Sequence, residues 1–288
     1  MFIALLKNMR PKQWAKNALL LAGLVFDRQL TYLPALERAL LGVLLFSLLS
    51  SSIYLINDVV DREADRKHPT KKHRPIASGA LPASVAVAAA ALFMLLALGL
   101  GFWLSPLFAL ICVLYVLLNF AYSFWLKHIP VIDVLVLASF YVLRVAAGVS
   151  VIDVQRFSPW IYVFTIFLAL FLGIGKRRAE LLQSREGGPT RKVLKGYTHT
   201  FLEQLLLVVL CLSIITYSLY TFLAPNVPEN HAMMLTIPFV IYGFFRYLYL
   251  VQVKQVGEAP EEILFNDRPL QIDLLLWAAT ILLIFYIY

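Results

Sequence analysis

The chain has 288 residues, of which 61% are hydrophobic and 15% are charged, and its net charge is +8 at neutral pH. Because a soluble domain is rarely above ~50% apolar, this composition excludes an ordinary soluble globular protein. Its basic residues gather at the edges of apolar runs, a pattern that does not indicate nucleic-acid binding.

Apolar runs of about 18 or more residues, each long enough to cross ~30 Å of hydrocarbon, recur along the whole chain. They predict an all-α fold, a polytopic membrane helix bundle of about nine transmembrane helices, with one domain over residues 1–288. The first and sixth spans are short or interrupted. The predicted spans are 17–35, 37–56, 83–104, 107–126, 131–152, 159–175, 201–224, 233–251 and 271–288.

Most lysines and arginines lie on the N-terminal segment and on three loops, at residues 57–82, 175–200 and 252–270. The positive-inside rule places these segments in the cytoplasm. Nine spans then put the C-terminus on the opposite side of the membrane.

An acidic stretch, NDVVDREAD, follows the second span. If the helix continues through it at about 100° per residue, Glu63 points away and four polar side chains share one face. These are Asn57, Asp58, Asp61 and Asp65. Crowded carboxylates repel one another unless a cation lies among them, and oxygen ligands suit Mg²⁺ held jointly with phosphates. We predict Asp58, Asp61 and Asp65 as metal ligands, with Asp58 and Asp61 catalytic and Asn57 contacting substrate. A solvated helix end is the simpler alternative.

The acids are followed by a basic loop in which Arg74 precedes Pro75. Cations beside a metal site can bind phosphate oxygens, so we predict Arg74 as a phosphate ligand. Ordinary cytoplasmic positive charge is the alternative explanation for any single residue of this loop.

A second charged cluster ends the sixth span, in the sequence GIGKRRAELLQSR. Lys176 and Glu180 fall on one helical stripe, whereas Arg177 points elsewhere. We predict Lys176 as a catalytic cation and Arg177 and Glu180 as substrate-binding residues. Alternatively, these cations only complement the carboxyl end of a helix dipole.

Other charged residues at unusual places are candidates for substrate binding. Arg144 lies near the middle of the fifth span, where a cation is costly and usually faces a partner or a wet cavity. Lys16 and Asn17 enter the membrane edge, and Asp267 and Arg268 precede the ninth span. For Arg144, a structural ion pair is an equally good interpretation.

No histidine pair has metal-ligand spacing, and no nucleophile elbow, Walker loop or dinucleotide fingerprint is present. The sequence therefore does not support covalent catalysis by a side chain.

The pattern N-D-x-x-D-x-x-x-D followed by R-P-I-A-S-G resembles the first motif of the UbiA superfamily of membrane prenyltransferases. The second motif of that family is usually D-x-x-x-D, whereas this chain has Lys176 and Glu180 at the same spacing. With this change, the chain resembles one branch of the family, the decaprenyl-phosphate phosphoribosyltransferases. Three further motifs carry the same resemblance: G-K-R-x-A-E-L, R-P-x-Q-W-x-K-N and the late P-E-E…D-R.

This resemblance implies a bundle in a bacterial-type plasma membrane, with cytoplasmic loops capping a central cavity. It implies transfer of phosphoribose from 5-phosphoribosyl 1-diphosphate to a polyprenyl phosphate, with Mg²⁺ on the first motif holding the diphosphate. The lipid phosphate is already ionised and needs positioning more than a base. Lys16, Asn17 and Arg144 are the residues we expect on the lipid-phosphate side. A homo-oligomer is compatible with the sequence, which specifies no copy number.

Two other functions remain open from the sequence. The first is a prenyltransferase that moves a prenyl group from a prenyl diphosphate to an aromatic or other acceptor. The second is a transporter of lipid phosphates or anions, which is disfavoured because few charges lie inside the spans.

Overall fold

A computed structural model describes residues 1–68, 71–152, 154, 158–185, 192–254, 263–264 and 266–287. Its chain forms two compact units. One comprises Met1–Phe120 and Leu143–Gln155, and the other comprises Ala121–Val142 and Arg156–Tyr288. The prediction of one domain over the whole chain stays a prediction.

The first unit is built around a long helix, α3, which packs mainly against α5. Its elements in chain order are α1 (Phe2–Asn8), a 3₁₀ helix (Pro11–Leu21), α2 (Ala22–Phe26), α3 (Leu33–Val60), α4 (Arg62–Lys67), a 3₁₀ turn (Lys71–His73), α5 (Ala83–Leu104) and α6 (Pro106–Phe124). The last residues of α6, from Ala121 onward, belong to the second unit. At one end of α3 and α5, Leu55, Ile76 and Leu81 form a buried apolar cluster with Ala86 and Ala90.

The second unit is built around a close pair of helices, α8 and α9. The elements that follow α6 are a 3₁₀ turn (Leu126–His128), α7 (Ile132–Ser150), α8 (Pro159–Arg185), a 3₁₀ helix (Lys192–Gly196), α9 (His199–Leu223), a 3₁₀ helix (Ala232–Thr236), α10 (Ile237–Gln252) and α11 (Arg268–Tyr286). The start of α7 belongs to this unit, and its residues from Leu143 onward belong to the first.

Within the described ranges, 8 helices are long and apolar enough to cross a membrane. They confirm the predicted all-α membrane fold. The second to ninth predicted spans match these helices to within about four residues, except that α8 continues to Arg185, about ten residues beyond the predicted end of the sixth span at 175. Helix α5 occupies the predicted range 83–104. Tyr288, the predicted end of the ninth span, lies outside the described residues.

The first predicted span, 17–35, takes a different form. A 3₁₀ helix runs over Pro11–Leu21, continues as α2 and ends at Phe26. Because a 3₁₀ helix rises ~2.0 Å per residue and an α-helix ~1.5 Å, the two pieces together extend about 29 Å. Asp27 and Arg28 then form a turn, and Pro34 lies in the first turn of α3, a position that proline favours. The predicted span was therefore placed several residues too late.

Helices α3 and α8 are longer than a membrane requires. They have 28 and 27 residues, which correspond to about 42 and 40 Å, against ~30 Å of hydrocarbon. The surplus of about two turns contains Asn57 and Asp58 in α3 and the charged residues from Lys176 onward in α8. Helix length thus presents both charged motifs beyond the apolar part of their own helices.

Candidate functional site

Two buried carboxylates of the acidic motif come together in the first unit. Asp58 lies in the last turn of α3 and Asp65 lies in α4, and their side chains are only 4% and 5% exposed. Arg74 bridges them, because its Nη1 donates to Asp58 Oδ1 at 3.1 Å and to Asp65 Oδ2 at 2.7 Å. Arg10 Nη2 donates to the same oxygen of Asp58 at 2.6 Å. The result is a compact group of two acids and two arginines.

Helix α3 does not continue through the acidic motif. The predicted shared face of its four polar side chains required a continuous helix, so that prediction does not hold. Helix α3 ends at Val60, and Asp61 has φ −83° and ψ 1° before α4 begins. Asp61 is exposed, as is Glu63, whose carboxylate pairs with Arg66 at 3.0 Å. The break turns α4 so that Asp65, and not Asp61, joins Asp58.

The R-P-I-A-S-G segment holds Arg74 in this position. Ile76 and Ala77 are buried, and Ile76 belongs to the apolar cluster around Leu55. Arg66 Nε donates to the Ala77 carbonyl at 3.1 Å, which ties the segment to α4. Gly79 has φ +84°, a conformation that glycine adopts most readily. The apolar residues of this motif therefore anchor the turn that presents its arginine.

Magnesium fits the donor chemistry of this group. Mg²⁺ is commonly bound through one or two carboxylates together with phosphate oxygens and water. Asp58 and Asp65 place two such carboxylates within reach of a single nitrogen atom of Arg74. In the part of the chain that the structure describes, no group of three or more His, Cys, Asp or Glu side chains could hold a metal by itself. Any ion here would thus depend on oxygens from a ligand.

A second polar network in the first unit surrounds Arg144, which is 4% exposed. Its Nε donates to Asn17 Oδ1 at 2.9 Å, and its Nη2 donates to the Tyr115 hydroxyl at 2.9 Å. The Asn17 amide donates in turn to Ser47 Oγ at 2.9 Å. The structure therefore brings together two of the three residues that we expected on the lipid-phosphate side. Lys16, the third, is neighbour to Asn17 in the chain and is partly exposed.

The 3₁₀ conformation explains how Asn17 reaches this network. Residues three apart are eclipsed in a 3₁₀ helix, so Trp14, Asn17 and Leu20 lie along one stripe. Trp14 Nε1 donates to Ser51 Oγ at 3.0 Å, and Leu20 is buried. The small serines on α3 leave room for these side chains and also supply hydroxyl partners. This stripe attaches the N-terminal segment to α3.

In the second unit, Arg177 is buried and its guanidinium binds three protein acceptors. It donates to Asp133 Oδ2 at 2.6 Å, to Glu180 Oε2 at 2.6 Å and to the Tyr122 hydroxyl at 2.9 Å. Its side chain is 1% exposed. We therefore propose that Arg177 positions α8 and its neighbours, in place of the predicted contact with substrate.

Tyr197 extends this network to the segment that precedes α9. Its hydroxyl donates to Asp133 Oδ1 at 2.6 Å and accepts from the Val131 backbone N–H at 2.6 Å. Val131 has φ +70°, a rare conformation for a β-branched residue. Burial and the hydrogen bond to Asp133 raise the pKa of Tyr197 above its usual range, so the hydroxyl stays protonated and donates. The network ties α7, α8 and the 3₁₀ helix Lys192–Gly196 together.

Replacing Tyr197 with phenylalanine should therefore lower stability. The buried Asp133 carboxylate and the Val131 N–H each lose a partner, which costs about 1–3 kcal/mol for such groups. The thermal midpoint of the protein in lipid nanodiscs measures the effect. Tyr32→Phe is the matched control, because Tyr32 is 60% exposed and a surface change of this kind is nearly neutral. Equal midpoints for the two variants would show that the network contributes nothing to stability.

The remaining predicted residues of the second unit have mixed surroundings. Lys176 is partly exposed on α8, and Glu180 is the partner of Arg177. Asp267 caps α11 by accepting from Leu270 N at 3.0 Å, and it accepts from Arg246 Nε and Nη2 at 3.1 and 2.8 Å. The hydrogen bonds from Arg246 hold the pKa of Asp267 below its usual range. Arg268, the next residue, is exposed.

Comparison with known proteins decides the family. The model of the UbiA prenyltransferase family matches residues 18–265. The chain belongs to the UbiA prenyltransferase family. This confirms the resemblance inferred from the first motif.

Relatives of this UbiA family member match it over nearly its full length. The decaprenyl-phosphate phosphoribosyltransferase of Mycobacterium tuberculosis is 37% identical over 284 residues, covering 96% of this chain and 92% of the relative. The protein with the same description from Corynebacterium glutamicum is 35% identical over 296 residues, covering 98% and 87%. A solved UbiA homolog from Archaeoglobus fulgidus, bound to GPP and Mg²⁺, has a TM-score of 0.74 at 22% identity and covers 99% and 100%. That likeness shows the UbiA fold.

Sequence reasoning missed several residues of these groups in the UbiA chain. The sequence patterns did not predict Arg10, Arg246 or Tyr197 as residues of these groups. Arg10 precedes a proline at the membrane edge, which suggested only an interfacial charge. Its partner Asp58 is 48 residues away, and no local pattern in the sequence indicates that pairing.

Proposed function

We propose that this protein transfers a 5-phosphoribosyl group from 5-phosphoribosyl 1-diphosphate to the phosphate of a polyprenyl lipid and releases diphosphate. The observation that supports this most strongly is the 37% identity, over 96% of the chain, to a decaprenyl-phosphate phosphoribosyltransferase. The charged motifs suit the reaction, since the donor has a diphosphate and a separate phosphate. A decaprenyl chain is the acceptor that the relatives' description suggests.

In the proposed reaction, an oxygen of the lipid phosphate forms a new bond to C1 of the ribose as the bond from C1 to the diphosphate breaks. Positive charge grows on the sugar and negative charge grows on the leaving diphosphate. When bound, Mg²⁺ supplies charge neutralisation for that leaving group. Asp58 and Asp65 would hold the ion, and the exposed Asp61 of the same motif would add negative charge near it.

The protein's own cations have distinct parts in this proposal. Arg74 would bind the diphosphate, and Lys176 would bind a phosphate of the donor without a metal. Arg144, Asn17 and Lys16 would orient the lipid phosphate, which needs no general base. Asn57, Glu180, Asp267 and Arg268 are proposed to complete the contacts with the substrates. The motif-bearing loops are proposed to face the cytoplasm, where phosphorylated sugars are available.

A direct assay tests the proposal. The purified protein in nanodiscs is given Mg²⁺, decaprenyl phosphate and phosphoribosyl diphosphate labelled in the ribose, and the lipid phase is analysed for label. We expect a labelled lipid together with an equal amount of diphosphate. A parallel reaction contains a prenyl diphosphate and 4-hydroxybenzoate. Turnover only in that parallel reaction would instead identify a prenyltransferase.

Lys176→Ala should act mainly on donor binding. Loss of a phosphate-binding cation is expected to raise the KM for phosphoribosyl diphosphate by about tenfold and to change kcat less. Lys192→Ala is the matched control, because Lys192 is an exposed lysine in the segment that precedes α9. An unchanged KM in Lys176→Ala would remove Lys176 from the donor site.

A further inference from the structure

Two guanidinium groups already lie on the carboxylates to which we assign the metal. Arg10 Nη2 is 2.6 Å from Asp58 Oδ1, and Arg74 Nη1 is 3.1 Å from the same oxygen and 2.7 Å from Asp65 Oδ2. The arginine side chains are 32% and 29% exposed, whereas both acids are almost wholly buried. A cation that approaches these acids from solvent therefore meets the guanidinium groups.

Arg10 is held in this place by more than its ion pair. Its guanidinium carbon lies 4.9 Å from the centre of the Tyr54 ring, a cation–π distance. Its backbone is left-handed, with φ 55° and ψ 61°, immediately before the 3₁₀ helix. Glycine or asparagine would adopt this conformation more readily, so the backbone does not explain an arginine here. The position of its charge on Asp58 does explain it.

The arginines and a metal ion compete for these oxygens. Asp58 Oδ1 already accepts from two guanidinium groups. A divalent cation on this oxygen would repel both groups at close range, and it would take the lone pairs that they now use. Without any cation, two buried carboxylates this close would be strongly destabilised. The arginines therefore neutralise the acids when no metal is bound, and a metal that takes Asp58 Oδ1 displaces them.

A released guanidinium group next to a metal has an obvious new partner. Arginine binds phosphate oxygens through parallel hydrogen bonds, and a diphosphate on the metal would offer such oxygens. We propose that Arg10 and Arg74 are resident counter-ions of Asp58 and Asp65 that move onto the diphosphate when it arrives with its metal ion. The identity of the diphosphate compound rests on the proposed function, but the exchange of partners does not.

This exchange makes the affinities for metal and diphosphate respond in opposite directions to one substitution. Arg10→Gln removes a competitor of the metal and also a ligand of the diphosphate. We expect Mn²⁺ alone to bind this variant about tenfold more tightly than wild type, the scale on which one neighbouring charge affects an ionic site. Inorganic diphosphate, measured at saturating Mn²⁺, should bind about tenfold more weakly.

The test measures both affinities in nanodiscs, by electron paramagnetic resonance of free Mn²⁺ and by calorimetry with diphosphate. Lys12→Gln is the matched control. Lys12 lies two residues from Arg10, its side chain is exposed, and the substitution removes the same positive charge. It should change neither affinity by more than about twofold. Arg10→Lys, which keeps the charge, should bind Mn²⁺ alone as wild type does.

A weaker or unchanged affinity for Mn²⁺ in Arg10→Gln, with a normal thermal midpoint, would overturn the proposal. If Arg10→Gln damages the fold, both affinities should weaken and the thermal midpoint should fall. Arg74→Gln is then the second variant, for which we also expect tighter Mn²⁺ binding and weaker diphosphate binding. The proposed enzymatic function can fail separately. If no ribosylated lipid forms but the opposite changes are observed, the counter-ion exchange stands and the substrate assignment falls.

Discussion

Asp58→Asn is expected to reduce phosphoribosyl transfer at least about a hundredfold, the loss typical of removing an essential charged group from an active site. Asparagine keeps the shape of the side chain but cannot supply the negative charge for a divalent ion. Asp58 is also the carboxylate that receives both Arg10 and Arg74, so its charge organises the group even before substrate binds. The measurement is the initial rate of label transfer into the lipid phase.

Glu63→Gln is the matched control for this experiment. It removes one negative charge from the same motif, but the Glu63 side chain is 74% exposed and its carboxylate pairs with Arg66. Its rate should stay within about twofold of wild type, since exposed ion pairs contribute little. Thermal midpoints establish that both variants are folded. If folded Asp58→Asn retains more than a third of the wild-type rate, the assignment of the metal to Asp58 is wrong.

Gly148→Ala is expected to be the most destabilising single methyl substitution in the first unit. A Cβ atom at Gly148 would lie 1.8 Å from the Leu20 carbonyl oxygen and 2.7 Å from its Cα. These are backbone atoms of the 3₁₀ helix, so no side-chain rotation relieves the clash, and α7 must separate from that helix. We expect a loss of about 3 kcal/mol or more in stability, at the upper end for overpacking.

The same substitution should also affect activity, because Arg144 of α7 donates to Asn17 of the 3₁₀ helix across this contact. Gly99→Ala is the matched control, since a Cβ atom at Gly99, in α5, meets no atom within 4 Å. That variant should melt at or slightly above the wild-type temperature, because alanine favours helix more than glycine. Wild-type stability in Gly148→Ala would mean that the two segments do not pack as closely as the structure places them.

The membrane helices were predictable because a bilayer leaves the chain little choice. A segment in hydrocarbon must satisfy its own backbone hydrogen bonds, so about 20 apolar residues imply a helix. Helix α5 over 83–104 shows this directly. The 3₁₀ conformation of residues 11–21 was not predictable in this way. The segment PKQWAKNALLL has only 11 residues, and its polar side chains are too few to distinguish a period of 3.0 from one of 3.6.

The candidate site was predictable in its chemistry and only partly in its pairings. The charges beside an apolar run indicated a site that contains Asp58 and Arg74, and the helical period added Asp65 to the face of Asp58. The helical period assigned Asp61 to the same face as Asp58, and a break at Asp61 defeated that assignment. Periodicity describes an unbroken helix, and nothing local to this segment indicated that the helix would end there.

The amino-acid sequence alone determined that this is a helical membrane protein of the UbiA type, and which residue types its charged motifs contain. Only the tertiary structure decided which charges meet: Arg10 with Asp58, and Arg177 with Asp133. The physical reason is that the hydropathy of a segment depends only on its own residues, and it decides whether that segment forms a membrane helix. The partner of a buried charge depends instead on which distant helix packs against it, and that is a property of the whole fold.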